Sequence, residues 1–336
     1  MKQREFLAPV LIVMILGAWA LFTYWPEQPA QQPESTITGE QWSPVTGFKE
    51  VNPYPLYVAT YVADYRLDEY IRTGSYSASM IRGSPGCTCF YASGSKLYGR
   101  NFDFPANPAL LLFTQPGDGY ASVSMVDLGY FGYSLGNLPD GGSLESLVTA
   151  PYMPFDGMNE AGLVVAMAAI SHAEPPRDPG KVTLDEIGVI RLLLDRAATV
   201  EEALGLLGEY NVQMVDPPIH YLVADKTGES ALIEFLGGEM RVIRRSGFQV
   251  MTNFLVTETD MAGGTPCSRY NLVHRSLSEA QGTVTLEGTL ELLQGASQDS
   301  TIWSTVYDPV KLEIHVAMGR GYSCVHTFRL NSTEPR

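Results

Sequence analysis

The sequence predicts an α+β fold in which strands predominate. Segments rich in β-branched and aromatic residues, each bounded by Gly, Asp or Pro, recur along the chain and are typical of strands. Two Thr-x-x-Glu motifs stand ahead of apolar-periodic runs and indicate the starts of helices. The 336 residues, 45% of them hydrophobic, are enough for one large domain.

The first predicted helix covers Pro55–Thr73, an aromatic and partly charged segment. The Thr-x-x-Glu motifs begin at residues 183 and 199, and they predict helices over Leu184–Ala198 and Val200–Tyr210. Two further helices are expected at Arg269–Gln281 and Leu286–Leu293. The predicted strands are Lys96–Phe104, Ala121–Ser134, Gly162–Ile170, Ile219–Ala224, Ser230–Phe235, Ser304–Tyr307, Lys311–Ala317 and Ser323–Leu330.

The N-terminus carries an export or anchoring signal. Lys2 and Arg4 precede an apolar stretch over Phe6–Trp25, and about 20 helical residues span about 30 Å of hydrocarbon. The small-residue motif at 18–20 lies inside this stretch rather than beyond it, which favours an uncleaved anchor over a cleaved signal peptide. The leading positive charges place the N-terminus in the cytoplasm. We therefore expect a protein that is membrane-anchored with an extracytoplasmic body, or secreted.

Charge and histidine spacing exclude two classes of function. The chain has 22 Lys and Arg against 37 Asp and Glu, a net charge of −15. A nucleic-acid partner requires a basic surface, so none is predicted. The five histidines show no spacing typical of metal ligands, and a Cys-x-Cys metal site at 87–89 is disfavoured for that reason. No metal and no cofactor are predicted.

A candidate nucleophile lies in the pentad Gly-Cys-Thr-Cys-Phe at 86–90, which is followed by Gly-Arg-Asn-Phe-Asp at 99–103. If the Gly86–Cys87 bond is cut, Cys87 carries both a thiol and a free amine. Their ordinary pKa values, about 8.5 and about 7.7–8.0, allow a proton to pass between them without a histidine base. Cys89 faces the same side of a strand as Cys87, so spacing alone leaves either thiol open.

Five short blocks follow one another along the chain: Gly86-Cys87-Thr88, Tyr98–Asp103, Asp156–Leu163, Thr252-Asn253 and Ser268-Arg269-Tyr270. Together they resemble the choloylglycine hydrolase superfamily of N-terminal-nucleophile (Ntn) amidohydrolases. Five matches in the family's order are far more specific than one short match. The superfamily includes bile salt hydrolases, penicillin V acylase and acid ceramidase. The resemblance implies a four-layer αββα sandwich, with two antiparallel sheets face to face and helices outside. It also implies a small N-acyl amide as the substrate.

The resemblance assigns a role to each matching residue. Cys87 is the nucleophile, and Cys89 falls at a small-residue position as a packing thiol. Arg100 and Arg269 match arginines near the thiol, where positive charge favours the thiolate. Two further matches are Asp103, the acid that hydrogen-bonds the amine of the nucleophile, and Asn253, the oxyanion-hole asparagine.

One departure from the family bears on the substrate. Bile salt hydrolases carry a second asparagine ten residues beyond the position of Asn159, and this chain has Ala169 there, which puts bile salt specificity in doubt. Asn159 itself is expected to be a turn residue, and His220 a hydrogen-bonded core histidine. A bridge between Cys267 and Cys324 stays open, because the sequence does not give their distance.

Loops over Pro105–Gly119, Gly136–Met153 and Asn253–Gly264 are predicted to form the substrate pocket. They are rich in Gly, Pro, Leu and aromatic residues, which suits an apolar acyl chain without naming it.

The position of Cys87 predicts a precursor. With 86 residues ahead of it, its amine becomes free only when the chain is cut between Gly86 and Cys87. The predicted organisation is therefore an anchor or signal segment (1–25), a linker (26–48), a propeptide-like segment (49–86) and a catalytic domain (87–330).

Two other functions stay open. One is an acyltransferase that passes the acyl group to an amine, and the other is an inactive membrane-tethered binding protein. The latter would lack one of Cys87, Arg100, Asp103 and Asn253, and all four are present. A papain-like peptidase is disfavoured, because the sequence around Cys87 lacks the signature of one and no histidine partner is indicated.

Overall fold

The structure is a computed structural model that describes residues 43–52, 54–73, 86–140, 144–215, 217–259, 265 and 267–330. The predicted anchor or signal segment 1–25 lies outside these residues. Within the described part of the chain, no helix has the length and apolar character needed to cross a membrane.

The strands and helices are numbered in chain order. The strands are β1 (Val45–Asn52), β2 (Leu56–Tyr61), β3 (Gly86–Ala92), β4 (Leu97–Asp103), β5 (Ala109–Thr114), β6 (Ser122–Asp127), β7 (Asp156–Asn159), β8 (Leu163–Ala169), β9 (Thr183–Asp185), β10 (Asn211–Gln213), β11 (Ile219–Asp225), β12 (Ser230–Leu236), β13 (Glu239–Ile243), β14 (Phe248–Met251), β15 (Thr301–Asp308), β16 (Glu313–Met318) and β17 (Val325–Arg329). The helices are α1 (Leu67–Thr73), α2 (Glu186–Arg196), α3 (Val200–Leu207), α4 (Ser268–Glu279) and α5 (Leu286–Gly295). Short 3-10 segments cover Leu128–Phe131 and Glu145–Tyr152.

Two large sheets dominate the fold. One has nine strands in the order β1-β2-β5-β6-β7-β8-β11-β12-β13, and the other has six in the order β14-β3-β4-β15-β16-β17. The six-stranded sheet is antiparallel, as expected. The prediction is wrong for the larger sheet, because β2 and β5 run parallel. A parallel pair needs a long crossover connection, and here the crossover carries α1, β3 and β4.

β3 separates two apolar cores. Its side chains alternate, so Cys87, Cys89 and Tyr91 point into the core between the sheets. Phe90 and Ala92 point the other way, into a second core beneath α4 and α5. Helix α2 packs against β7 and β8 of the nine-stranded sheet. The structure is therefore a mixed sandwich of two large sheets with helices packed on each.

The segment Pro55–Thr73 is not one helix. It forms strand β2 and then the short helix α1. Four of the first five β2 side chains are buried, because the strand lies between β1 and β5 in the sheet. Pairing on both edges outweighs the local helical pattern.

The two helices after the Thr-x-x-Glu motifs are present, but the first begins later than predicted. Residues Thr183–Asp185 form β9, and Asp185 caps α2 by accepting the N–H groups of Ile187 (3.1 Å) and Gly188 (2.6 Å). The second motif behaves as predicted. Thr199 accepts the N–H of Glu202 at 3.2 Å, and the Glu202 carboxylate accepts the N–H of residue 198 at 2.7 Å.

Two predicted loops contain regular structure. The range Pro105–Gly119 includes β5, all six residues of which are buried. A central strand covered on both faces reads as a continuous apolar run, so it lacks the alternation that identifies half-buried strands. The range Gly136–Met153 includes the 3-10 segment Glu145–Tyr152. The predicted strand Ala121–Ser134 ends at Asp127, where a second 3-10 segment follows.

Two strands ahead of Cys87, β1 and β2, belong to the nine-stranded sheet. β1 begins at Val45, inside the predicted linker, and β1 and β2 together form one end of the nine-stranded sheet. The parallel pairing of β2 with β5 joins this segment to the part of the chain after Cys87.

Candidate active site

Cys87 is held by side chains at both of its backbone polar groups. It is the second residue of β3 and is 2% exposed. Its N–H donates to Asn253 Oδ1 at 2.6 Å, and its carbonyl accepts from Arg269 Nη1 at 2.5 Å. The bonded nitrogen belongs to the Gly86–Cys87 peptide, the bond that the sequence predicts to be cut.

Asn253 and Arg269 also bind each other. Arg269, the second residue of α4, donates from Nη2 to Asn253 Oδ1 at 3.0 Å and from Nη1 to Thr88 Oγ1 at 2.9 Å. Asn253 Nδ2 donates to the carbonyl of Ala169 at 2.9 Å. These partners orient the amide, with its oxygen toward the nitrogen of Cys87. Its role as an oxyanion donor stays a prediction, because in this structure its N–H is bonded to the carbonyl of Ala169.

Asp103 lies beside the Gly86–Cys87 bond. It ends β4 opposite Gly86 and is fully buried. Its carboxylate accepts from Gln298 Nε2 at 2.7 Å and from the Thr301 hydroxyl, and Arg269 Nη1 is 3.9 Å away. Burial raises the pKa of Asp103, although the two hydrogen bonds and Arg269 oppose that rise. The predicted bond from Asp103 to the Cys87 amine stays a prediction, since the nitrogen of Cys87 is part of the peptide bond to Gly86 in this structure.

Gln298 is a site residue that the sequence analysis missed. A Cβ added to Gly86 would lie 2.2 Å from Gln298 Nε2, so a glycine at 86 allows this close approach. The bond from Gln298 to Asp103 spans 195 positions of the sequence, and no motif connects residues so far apart.

Arg100 is a buried cation that lines the same pocket as Cys87. Its Nε donates to Asp156 Oδ2 at 3.3 Å, its Nη1 contacts Cys89 Sγ at 3.2 Å, and its guanidinium lies over the ring of Phe102 at 5.3 Å. Nη2 has no hydrogen-bond partner among the described residues. Burial lowers the pKa of Arg100, but attraction to the ionised forms of Cys87, Cys89 and Asp156 holds it well above its ordinary value.

Asp156 anchors Arg100 and was also missed as a site residue. It is fully buried and accepts from Trp303 Nε1 at 3.0 Å and from the Tyr307 hydroxyl. It lies in one of the five sequence blocks, but a carboxylate in a short block does not reveal its partner. Only the packing of β7 against β4 and β15 brings these groups together.

Burial raises the pKa of Cys89 to about 12, although Arg100 opposes the rise. Cys89 therefore stays a neutral thiol near neutral pH, as a packing residue should. Cys267 and Cys324 are not joined by a disulfide, so the bridge left open by the sequence is not formed. The Cys267 sulfur instead accepts a bond from Thr252 Oγ1 at 3.4 Å.

An apolar pocket opens beside Cys87 and Arg100. Its volume is about 30 Å³, and four aromatic residues, Phe102, Phe104, Tyr130 and Phe155, form one part of its lining. The rest consists of Met167, Ala168, Ala169, Pro217 and Ile219. No described residue of the predicted pocket loops 105–119, 136–153 and 253–264 lines this cavity, and strands β4, β8 and β11 supply most of it. The prediction is therefore wrong for the described part of these loops, and residues 141–143 and 260–264 lie outside the described residues. The space is far below the roughly 300 Å³ of an ordinary ligand site.

Two residues outside the chemistry behave as expected. Asn159 Nδ2 donates to the carbonyls of Leu194 (3.0 Å) and Ala197 (2.7 Å), and its own carbonyl closes the turn to Gly162. His220 is buried, with Nε2 bonded to the carbonyl of Thr252 at 2.7 Å. Within the described residues, no group of three His, Cys, Asp or Glu side chains could hold a metal ion.

Comparison with known proteins identifies the family. The sequence model of linear amide C–N hydrolases, choloylglycine hydrolase family, matches residues 87–255, and this match begins at Cys87. The chain belongs to this family of linear amide C–N hydrolases.

Individual relatives are distant. A penicillin V acylase from Pectobacterium atrosepticum is 28% identical over 110 residues, which is 29% of this chain and 29% of that enzyme. A conjugated bile acid hydrolase from Clostridium perfringens has a similar structure, with 16% identity, a TM-score of 0.52 and coverage of 75% of this chain and 95% of that one. A second variant of that hydrolase is 14% identical, has a TM-score of 0.51, and is matched over 75% of this chain and 96% of its own. At these identities the structural likeness concerns the fold alone.

Proposed function

We propose that this protein hydrolyses a linear amide bond of an N-acyl substrate, with Cys87 as the nucleophile, after cutting its own Gly86–Cys87 bond. One observation carries the proposal. The Cys87 nitrogen is bonded to Asn253 and its carbonyl to Arg269, while its side chain faces an apolar pocket that also contains the buried cation Arg100. A nucleophile, a thiolate-stabilising charge and an apolar acyl site therefore adjoin.

The first reaction is the cut itself. The Cys87 thiol attacks the carbonyl carbon of Gly86, and the peptide C–N bond breaks as the new C–S bond forms. The proton lost by sulfur goes to the nitrogen, which becomes the α-amine of Cys87. Water then hydrolyses the thioester, leaving a carboxylate on Gly86 and a free thiol. Asp103, opposite Gly86 in the sheet, accepts a bond from the new amine.

Turnover repeats this chemistry on the substrate. The α-amine takes the thiol proton, the thiolate attacks the substrate carbonyl, and the amine returns the proton to the leaving amine. Water then releases the acyl group as a carboxylic acid. Arg100 favours the thiolate by its charge, and Asn253 donates to the oxyanion once its N–H exchanges Ala169 for the substrate.

The aromatic side of the pocket supports an apolar acyl group. Its rings form a continuous cluster, with 5.1 Å between the centroids of Phe102 and Phe155 and 5.1 Å between those of Tyr130 and Phe155. Because the cavity measures about 30 Å³, side chains at its mouth must move when an acyl chain enters.

The acyl and amine halves of the substrate are tested together by a panel of fluorogenic N-acyl amides that vary in chain length and head group.

Fragment masses test the cut. The full chain should yield two fragments, one starting at Cys87, and they should co-purify because β2 pairs with β5 across the cut. Cys87→Ala, which lacks the attacking thiol, should stay in one piece. A fully active enzyme that remains a single uncut chain would overturn the proposed mechanism.

The location of the protein remains a proposal as well. We propose that residues 1–25 anchor the chain with its catalytic domain outside the cytoplasm. Fractionation of cells expressing the full chain tests this, with a chain lacking 1–25 as the control.

A further inference from the structure

Two buried ionisable side chains outside the catalytic site hold the loop that carries Asn253. His220 lies on β11 and Glu234 on β12, and both side chains are fully buried between the sheets. Their nearest atoms, His220 Nδ1 and Glu234 Oε1, are 3.4 Å apart. Neither residue has a part in the chemistry proposed above.

The pair binds the backbone on both sides of Asn253. His220 Nε2 donates to the carbonyl of Thr252 at 2.7 Å. The Glu234 carboxylate accepts the N–H of Val256 at 2.7 Å and the N–H of Thr257 at 3.0 Å. Residue 252 is thus fixed by one partner and residues 256 and 257 by the other, so the turn that presents Asn253 is held at both ends.

The hydrogen bonds also define the donors and acceptors of the pair. A carbonyl only accepts, so His220 Nε2 carries a proton. Burial raises the pKa of Glu234, but its bonds to His220 and Thr257 outweigh that effect and lower it. The pair therefore joins the loop to the sheet, with His220 as the donor and the Glu234 carboxylate as the acceptor.

A buried polar pair is weak evidence of a contribution to stability, because apolar residues of similar volume often serve as well. The three hydrogen bonds from His220 and Glu234 to one loop therefore need an explanation other than stability. Asn253 Oδ1 lies 2.6 Å from the nitrogen of Cys87, and a displacement of about 1 Å at such a group can cost about 100-fold in rate.

We propose that His220 and Glu234 are positioning residues that fix the side chain of Asn253 against the nitrogen of Cys87. This inference rests on the proposed amidase function. It makes the pair part of the reaction only through Asn253, and it assigns the pair no contact with the substrate.

Glu234→Gln tests the proposal, with Asp225→Asn as the matched control. Asp225 is a second buried carboxylate, on β11, that also accepts two backbone N–H groups, from Val200 at 2.9 Å and Thr227 at 2.8 Å. These bonds hold a different part of the chain. In each variant an amide NH₂ would face a backbone N–H, so both should lower the melting temperature.

The two variants should differ in kinetics. On an N-acyl amide that the wild type cleaves, Glu234→Gln should lower kcat about 10- to 100-fold and change KM less than about twofold, because a misplaced Asn253 acts on the chemical step. Asp225→Asn should leave kcat within about twofold. Equal kcat values for the two carboxylate variants would overturn the proposal.

A second pair of variants keeps the test decisive if Glu234→Gln fails to fold. The Nε2 of a glutamine occupies nearly the same place as His Nε2, so His220→Gln should keep the bond to Thr252 and most of kcat. His220→Leu should lose the bond to Thr252 and most of kcat. Equal kcat values for His220→Gln and His220→Leu would contradict the inference. In a chain carrying Asn253→Ala, Glu234→Gln should have almost no further effect. A wild type inactive on the whole panel would instead refute the proposed function.

Discussion

Replacing Arg100 by methionine should separate the structural role of this buried cation from its proposed catalytic role. Methionine keeps most of the aliphatic stem but removes the bond from Nε to Asp156 and the charge beneath Cys87. At 3.3 Å, with an effective dielectric constant of about 20, the lost attraction is about 5 kcal/mol. Breaking buried ion pairs generally costs about 3–5 kcal/mol. We therefore expect the free energy of unfolding to fall by about 4 kcal/mol.

The destabilisation should depend on pH. Burial raises the pKa of Asp156 above its ordinary value, and Arg100 is the largest influence that lowers it. Without Arg100 the pKa of Asp156 in the folded chain rises further. Above pH 3.8, the ordinary pKa of this carboxyl, the unfolded chain has released the proton while the folded chain still binds it. Stability is then lost as pH rises toward the folded-state pKa. Urea unfolding followed by tryptophan fluorescence should show a larger deficit at pH 8 than at pH 5.

The double variant Arg100→Met with Asp156→Asn completes the test. It removes the orphaned carboxylate while leaving an amide that Trp303 and Tyr307 can still contact, so much of the lost stability should return. Activity should not return, because the thiol of Cys87 still lacks its cation. A loss below about 1 kcal/mol in the single variant would refute the buried-pair argument. An active double variant would show that Arg100 serves only the fold.

Three further outcomes are expected. Cys87→Ser should abolish turnover while Cys89→Ser retains most of it, and the opposite result would move the nucleophile by two residues. Asn253→Ala should lower kcat by about 10²–10³ with a smaller change in KM, whereas a raised KM at equal kcat would make Asn253 a substrate-binding residue. Burial, aided by Asp185, raises the pKa of Glu186 from its ordinary 4.5 to about 7. The folded chain therefore holds a proton between these values that the unfolded chain releases, and stability falls as pH rises through this window. Glu186→Gln should remove up to about 3 kcal/mol of this loss of stability. Urea unfolding of both proteins at pH 5 and pH 8 measures the effect. An equal change in the free energy of unfolding between the two pH values for wild type and variant would contradict the assignment.

The sequence alone predicts the proposed nucleophile and determined the local structure around it. Alternation along a strand puts Cys87 and Cys89 on one face, and both point into the core between the sheets. The capping motif at Thr199 begins a helix because its two hydrogen bonds join residues at most four positions apart. The five ordered blocks identified a family to which the chain does belong. These features depend on neighbours in the chain, which a sequence shows directly.

Tertiary structure decided what distant segments do to one another. The apolar residues of β5 and the residues of β2 form strands because each strand pairs with a neighbour on both of its edges, and β2 and β5 pair with each other. The amide of Asn253 is oriented by Arg269 and by the carbonyl of Ala169, and the latter lies 84 positions away. The contacts of Asp156 with Arg100 and of Gln298 with Gly86 are likewise made by residues far apart in the sequence. Packing and hydrogen bonding across the fold choose these partners, because a buried polar group takes whichever donor or acceptor the folded chain brings to it.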